Sequence, residues 1–161
     1  MATPFDIANF DFSKKAQSVA AQRHYEKAFG RGRLVKTDYR KLDQDYSIDG
    51  IWISSGGDTY SIQERFRRTK YAHYRELTVT DFKHGTENEG SWRKIQANYF
   101  VYGYFEPNVG FKELVICSVD AIKNSGIEPT TQYYKRKNLT FLCYPIDELI
   151  AKDTTIYHYR R

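Results

Sequence analysis

Cysteine is scarce in this chain of 161 residues: there are two, Cys117 and Cys143, each inside an apolar run, LVICSV and LTFLCY. A disulfide framework at this size needs more of them, so both are expected as reduced, buried thiols of an intracellular protein. Long apolar stretches are missing as well. Nothing approaches a membrane span, and the opening MATPFDIANFDFSKK carries two acidic residues and no unbroken segment of signal length. The expectation is a soluble, cytoplasmic protein with no membrane partner. The four histidines, at 24, 73, 84 and 158, lack metal-ligand spacing, which argues against zinc. No glycine loop has the flanking strand, helix and lysine that cradle a phosphate, since GRGR and SSGGD fall short of that pattern. Repeats and low-complexity linkers are absent too.

What remains is a mildly basic, aromatic chain. Lys and Arg number 25 against 20 Asp and Glu, a formal net charge of +5. That excess suits a polyanionic partner without identifying one. Aromatics reach 16%, with 14 Tyr, which serve to stack on nucleic-acid bases or, more commonly, to fill a core and a subunit interface. The length fits a single domain over 1–161, with one core.

Ser13 is a candidate N-cap for a helix over KKAQSVAAQRHYEKAF, where Ala16, Val19, Ala20 and Ala28 recur at helical spacing and Gly30 is the stop. Residues 48 to 67 read as a hairpin: IDGIWIS and TYSIQERFR are joined by the turn signal SGGD. A third strand is expected over ELTVTDF, residues 76 to 82. In SWRKIQANYFVYGYFE, residues 91 to 106, Trp92, Ile95, Tyr99 and Tyr102 form one helical stripe while Phe100, Val101 and Tyr104 fill the other side. This predicts a buried helix that offers a homodimer seam. FKELVICSV is a fourth strand, and LTFLCYPIDELIAKD reads as a strand leading into a Pro-initiated helix. The fold class expected is α/β, one domain whose central mixed sheet is flanked by helices.

The second half of TYSIQERFRR puts unusual polarity on a strand. Alternation assigns Gln63, Arg65 and Arg67 to one face and Ile62, Glu64 and Phe66 to the other. Hairpin pairing brings Asp49 near this segment, with Asp43 and Asp45 close in sequence. Carboxylates converging with a carbonyl are what a hard cation such as Mg²⁺ or Mn²⁺ takes. Each residue also has a structural reading: Asp49-Gly50 as a turn, Glu64 as half of a buried ion pair, the arginines as a charged strand edge.

A helix, then a hairpin with Asp on its first strand and a polar triplet ending in a basic residue on its second, resembles the PD-(D/E)XK (restriction-endonuclease-like) nuclease superfamily. The resemblance covers about residues 14–118 and implies an αβββαβ core, leaving 119–161 as a C-terminal strand and helix extension. It implies an Mg²⁺-dependent nuclease that hydrolyses DNA phosphodiester bonds. Asp49 and Glu64 or Gln63 would then hold metal, Glu26 of the first helix would add a ligand, and Arg65 would take the basic position. The pattern departs from Glu-x-Lys, because the same-face pair here is Gln63 and Arg65. An arginine stays protonated and cannot act as a general base, so its implied role is to steady phosphate. Asp81, Lys83 and His84 are the further candidates for activating water.

Arg33, Arg67, Arg68, Lys70, Lys94, Lys135, Arg136 and Lys137 are candidates for contacting a DNA backbone, with Tyr133 and Tyr134 placed to stack on bases. The alternative expectation is a catalytically inactive, dimeric DNA-binding or assembly module on the same fold.

Overall fold

A computed structural model of the chain describes residues 4–36, 46–84 and 88–161. Helix α1 spans Pro4–Ala20, continues through a π-helical segment Ala21–Tyr25 and ends as α2, Glu26–Phe29. Gly30 stops it with a φ of 85°, where glycine carries no Cβ penalty, and its N–H caps the Glu26 carbonyl. The helix therefore begins well before Ser13, which lies in its interior. Pro at a helix start is favourable, and the first turns leave Ile7 and Phe10 exposed, so no apolar stripe marks them.

Ten strands follow among the described residues: β1 Gly32–Lys36, β2 Gly50–Ser54, β3 Thr59–Arg68, β4 Glu76–Lys83, β5 Asn88–Glu89, β6 Tyr99–Glu106, β7 Gly110–Ser118, β8 Thr130–Tyr134, β9 Leu139–Pro145 and β10 Thr155–Arg160. Two short helices, α3 Val119–Asn124 and α4 Ile146–Ala151, follow β7 and β9. A six-stranded sheet runs β1-β2-β3-β6-β7-β10, antiparallel except where β3 and β6 pair in parallel. A second sheet, β5-β4-β9-β8, has three long strands and the two-residue β5. The domain is α/β as expected, but its strands form two sheets rather than one. The strand at 76–82 forms and leaves the main sheet: it pairs with β9, and so lies within the crossover that joins β3 to its parallel neighbour β6.

The helix expected over 91–106 is absent. Residues 91–98 form turns and irregular chain, and Tyr99–Glu106 is a strand in the middle of the main sheet. A segment apolar on every side is also the pattern of a strand buried on both faces, and the aromatic and β-branched content with Gly103 inside decides for the strand. Phe100, Tyr102 and Tyr104, residues of the expected dimer seam, lie at 2% exposure or less in the chain's own core.

The molecule is thus layered as helix, six-stranded sheet, second sheet. One face of the main sheet packs Ile62, Val101, Leu114 and Ile116 on Phe12, Ala16, Ala20 and Tyr25 of the helical arm. The other packs Phe100, Tyr102, Val115 and Cys117 on Leu77, Val79 and Tyr144 of the second sheet, with Ile122 and Leu149 of α3 and α4. Both cysteines are free and buried, as expected. No helix among the described residues is long and apolar enough to cross a membrane.

Gly103 marks a close approach. A Cβ there would meet the Phe111 ring at 2.8 Å and the Glu113 carbonyl at 3.1 Å. The Phe111 ring is itself held by Phe105 and Phe66 at centroid distances of 4.9 and 5.4 Å. Gly103→Ala is expected to cost about 1–3 kcal/mol through overpacking, read as a lower urea midpoint at unchanged slope.

Candidate functional site

The site is set by where β2 and β3 part. Their ladder ends at Gly50 opposite Ile62. One residue earlier, the Asp49 N–H donates to the Ile62 carbonyl at 2.8 Å, and Asp49 Oδ2 accepts the Glu64 N–H at 2.8 Å. Asp49 therefore occupies the place of the next ladder partner and fixes its carboxylate beside the Glu64 backbone.

Strand alternation then sorts the polar residues of β3. Ile62, Glu64 and Phe66 face the helical arm, while Arg65 and Arg67 reach Thr80 and Thr78 of the second sheet. On the helical side the Glu64 carboxylate accepts from Gln17 Nε2 of α1 and from the Tyr25 hydroxyl. The π segment re-phases the helix by the extra residue such a turn takes up. It carries Tyr25 to Glu64 and His24 to the Tyr157 hydroxyl, 2.8 Å from Nδ1.

Burial pushes the Glu64 carboxyl up to about 7, against the hydrogen bonds from Tyr25 and Gln17 and the charge of Lys36, which pull it down. The Tyr25 hydroxyl is pushed well above its ordinary value by burial and by Glu64, so it stays a donor. Asp49 and Glu64 open on a cavity of about 400 Å³, with Ser13, Lys14 and Gln17 from α1 and Lys36 from the end of β1 in its wall. A second cavity of about 310 Å³ shares Ser13, Arg65 and Phe66 with the first and adds Arg67, Arg68 and Lys70. Beyond Asp49 the β3 edge has no paired strand among the described residues.

Of the residues expected to form the site, Asp49 and Glu64 come together. Gln63 and Arg65 do not share their face. Glu26 is exposed at the helix end and pairs with Arg31 at 3.7 Å. Asp81 is held by Arg93 at 2.8 Å. Lys83 and His84 lie at the end of β4, where His84 Nε2 meets Thr140 Oγ1 at 2.5 Å. Asp43 and Asp45 lie outside the described residues. Arg67, Arg68 and Lys70 line the adjoining cavity; Arg33 is exposed on β1, Lys94 sits in the turns before β6, and Lys135, Arg136 and Lys137 form an exposed turn between β8 and β9. Tyr133 and Tyr134 are exposed on the second sheet.

Lys14, Gln17, Tyr25 and Lys36 were not legible as site residues. A signal existed for the α1 pair: Ser13, Lys14 and Gln17 form a polar stripe at helical spacing beside the Phe12, Ala16, Ala20 stripe. Among the described residues no group of three or more His, Cys, Asp or Glu is placed to hold a metal, so two carboxylates are the acidic donors of this cavity. Compared with protein-family models and with curated proteins, the chain finds a match in neither.

Proposed function

We propose that the chain is a divalent-metal-dependent nuclease of the PD-(D/E)XK type, acting on phosphodiester bonds of DNA. One observation carries the reading: Asp49, just before β2, and Glu64, on β3, face one cavity that is flanked by lysines and continues into a basic strand edge. The element order adds support, since a helix, three antiparallel strands and a strand parallel to the third follow in sequence. Among the described residues no α-helix makes the crossover of αβββαβ, and residues 69–84 and 88–98, with β4 and β5, stand in its place.

The donor set fits Mg²⁺ or Mn²⁺ in kind, because these ions take hard oxygens, use one or two carboxylates and fill the remaining positions with phosphate and water. Bound there, such an ion supplies Lewis-acid polarisation of the phosphate and a water of lowered pKa. The protein's part is positioning. Asp49 is fixed by its backbone bonds to β3, and Gln17 and Tyr25 orient Glu64. Phe66 stands two residues beyond Glu64 on its face, where the pattern has lysine, so Lys36 and Lys14 bring the positive charge that attracts phosphate. Arg68 and Lys70 extend that charge along the strand edge for the neighbouring backbone.

The test is cleavage of linear, supercoiled and single-stranded DNA with Mg²⁺ or Mn²⁺ against EDTA. Cleavage is expected only with metal, and Asp49→Asn, which keeps an acceptor for the Glu64 N–H, is expected to lower it about 10²–10³-fold. Undiminished cleavage by that variant, or cleavage in EDTA, contradicts the reading. A second reading, a DNA-binding module without chemistry, is favoured by one feature: Tyr25 and Gln17 already occupy the two Glu64 oxygens. It predicts salt-dependent DNA binding with no cleavage under any metal.

A further inference from the structure

The opposite face of β3 carries charge that no carboxylate among the described residues pairs. Arg65 Nη1 approaches Thr80 Oγ1 at 3.4 Å, and its guanidinium lies 5.2 Å from the Phe141 ring centroid. Arg67 Nη1 approaches Thr78 Oγ1 at 3.3 Å, with its guanidinium 4.5 Å from the Tyr71 centroid. Both are partly buried between the sheets, and neither has a carboxylate within ion-pair distance among the described residues. Elsewhere the chain behaves differently: Arg75 is held by both Glu113 and Asp147. Two neighbouring cations that hold only long hydroxyl contacts and ring faces are an arrangement an anion completes. On the same face, four residues before Arg67, the Gln63 Oε1 is buried with no hydrogen-bond partner.

A cavity of about 190 Å³ opens at Arg67. Arg67 and the Thr78 hydroxyl stand in its wall with Tyr71, Tyr74 and Gln132, and Tyr74 is 60% exposed at its edge. Glu76, the one carboxylate lining it, exchanges backbone hydrogen bonds with the Tyr104 hydroxyl and lies beyond ion-pair distance of Arg67. A guanidinium and a hydroxyl suit phosphate oxygens, which Arg binds through its fork of donors. An exposed tyrosine offers a stacking face, while a carboxylate and an amide suit hydroxyl and amino donors.

We propose that this cleft between the two sheets binds the phosphate of a nucleotide, with Arg67 and Thr78 on the phosphate, Arg65 adding charge, and Tyr74 stacking on the base. The phosphate belongs either to a free nucleotide or to the end of a strand. This site does not rest on the nuclease reading, because it uses neither Asp49 nor Glu64 and needs no metal.

The experiment is calorimetric titration of AMP, inorganic phosphate and a 5′-phosphorylated oligothymidylate into the full chain in EDTA, which silences a metal site. Saturable AMP binding is expected, weakened about tenfold or more in Arg67→Gln and unchanged in Asp49→Asn. Tyr74→Ala, at an exposed position that folding tolerates, is expected to weaken AMP and leave phosphate as it was. Competition by the phosphorylated oligomer, but not by its unphosphorylated form, assigns a strand end; AMP binding without that competition assigns a free nucleotide. Absence of AMP and phosphate binding at millimolar concentration, or affinity unchanged in both Arg67→Gln and Tyr74→Ala, overturns the proposal.

Discussion

Replacing Glu64 by Gln is expected to stabilise the protein at pH 8 and to remove metal-dependent cleavage. Burial raises the Glu64 carboxyl to about 7 in the folded chain. At this side chain the folded state therefore holds a proton that the unfolded state has released, from roughly pH 4.5 up to that value, and the contribution of Glu64 to stability falls as pH rises through this window. The full conversion would be about 3 kcal/mol for a dry group, trimmed to on the order of 2 kcal/mol because Glu64 is only partly buried. Gln cannot ionise. It keeps one acceptor and one donor for Tyr25 and Gln17, so the stability of the variant relative to the parent should grow from pH 5 to 8. Urea unfolding of both across that range checks it, since the buried His24 acts alike on the two, and a difference between variant and parent that does not grow with pH contradicts the assigned environment of Glu64. Loss of activity together with a gain in stability is the mark of a functional carboxylate kept at a cost to the fold.

Glu113→Ala is expected to cost about 3–5 kcal/mol, the range for breaking a buried ion pair by removing one partner. Glu113 is 3% exposed on β7. It accepts from Arg75 Nε and Nη2 at 3.0 and 2.8 Å, and His158 Nε2 of β10 lies 2.7 Å from its Oε2. Arg75 holds a left-handed backbone conformation, φ 46°, and reaches Asp147 at 2.7 Å as well. The network thus ties β7 and β10, adjacent at one end of the main sheet, to the segment entering β4 and to α4. Burial pushes the Glu113 carboxyl up, but the hydrogen bonds from Arg75 and His158 and their charges outweigh it and hold the carboxyl below its ordinary value. Its contribution is present above the unfolded carboxylate value and is lost as pH falls through the folded one. Glu113 therefore contributes an acid limb, and the fall contributed by Glu64 above it is opposed by the buried His24, whose imidazole burial holds down at about 4 and whose contribution rises over the same range. Denaturant unfolding of Glu113→Ala at neutral pH gives the size of the loss, and a change below about 1 kcal/mol would contradict a buried role.

The parts of this fold that could be read from sequence are those whose cause is local. The hairpin showed itself in SGGD between two runs rich in aromatic and β-branched residues, the helix stop in Gly30, and β4, β7 and β9 in their apolar patterns. β6 was hidden because periodicity cannot separate a strand buried on both faces from a buried helix. The second sheet was hidden for another reason: no property of ELTVTDF says which strand it will pair with, and its partner β9 lies more than fifty residues on. The exposed strand β8 and the short β1 also carry little apolar signal.

The candidate site divides in the same way. Asp49 and Glu64 were legible because a hairpin's register brings them together. The alternation that puts Arg65 on the other face of β3 was legible too. Gln17 and Tyr25 were not, since their approach to Glu64 depends on how the helix lies over the sheet and on a π turn that sequence does not announce. Lys36 reaches the cavity only because β1 pairs beside β2.

The most direct measurement is calorimetric titration of Mn²⁺ into the parent and Asp49→Asn, each with and without a short DNA duplex at a pH above 7, where Glu64 is ionised. The account predicts saturable binding to the parent that tightens with DNA and disappears in Asp49→Asn, while the variant keeps its unfolding midpoint. Parent and variant that bind Mn²⁺ alike, or a parent that binds none even with DNA present, would contradict a metal-dependent active site at Asp49 and Glu64.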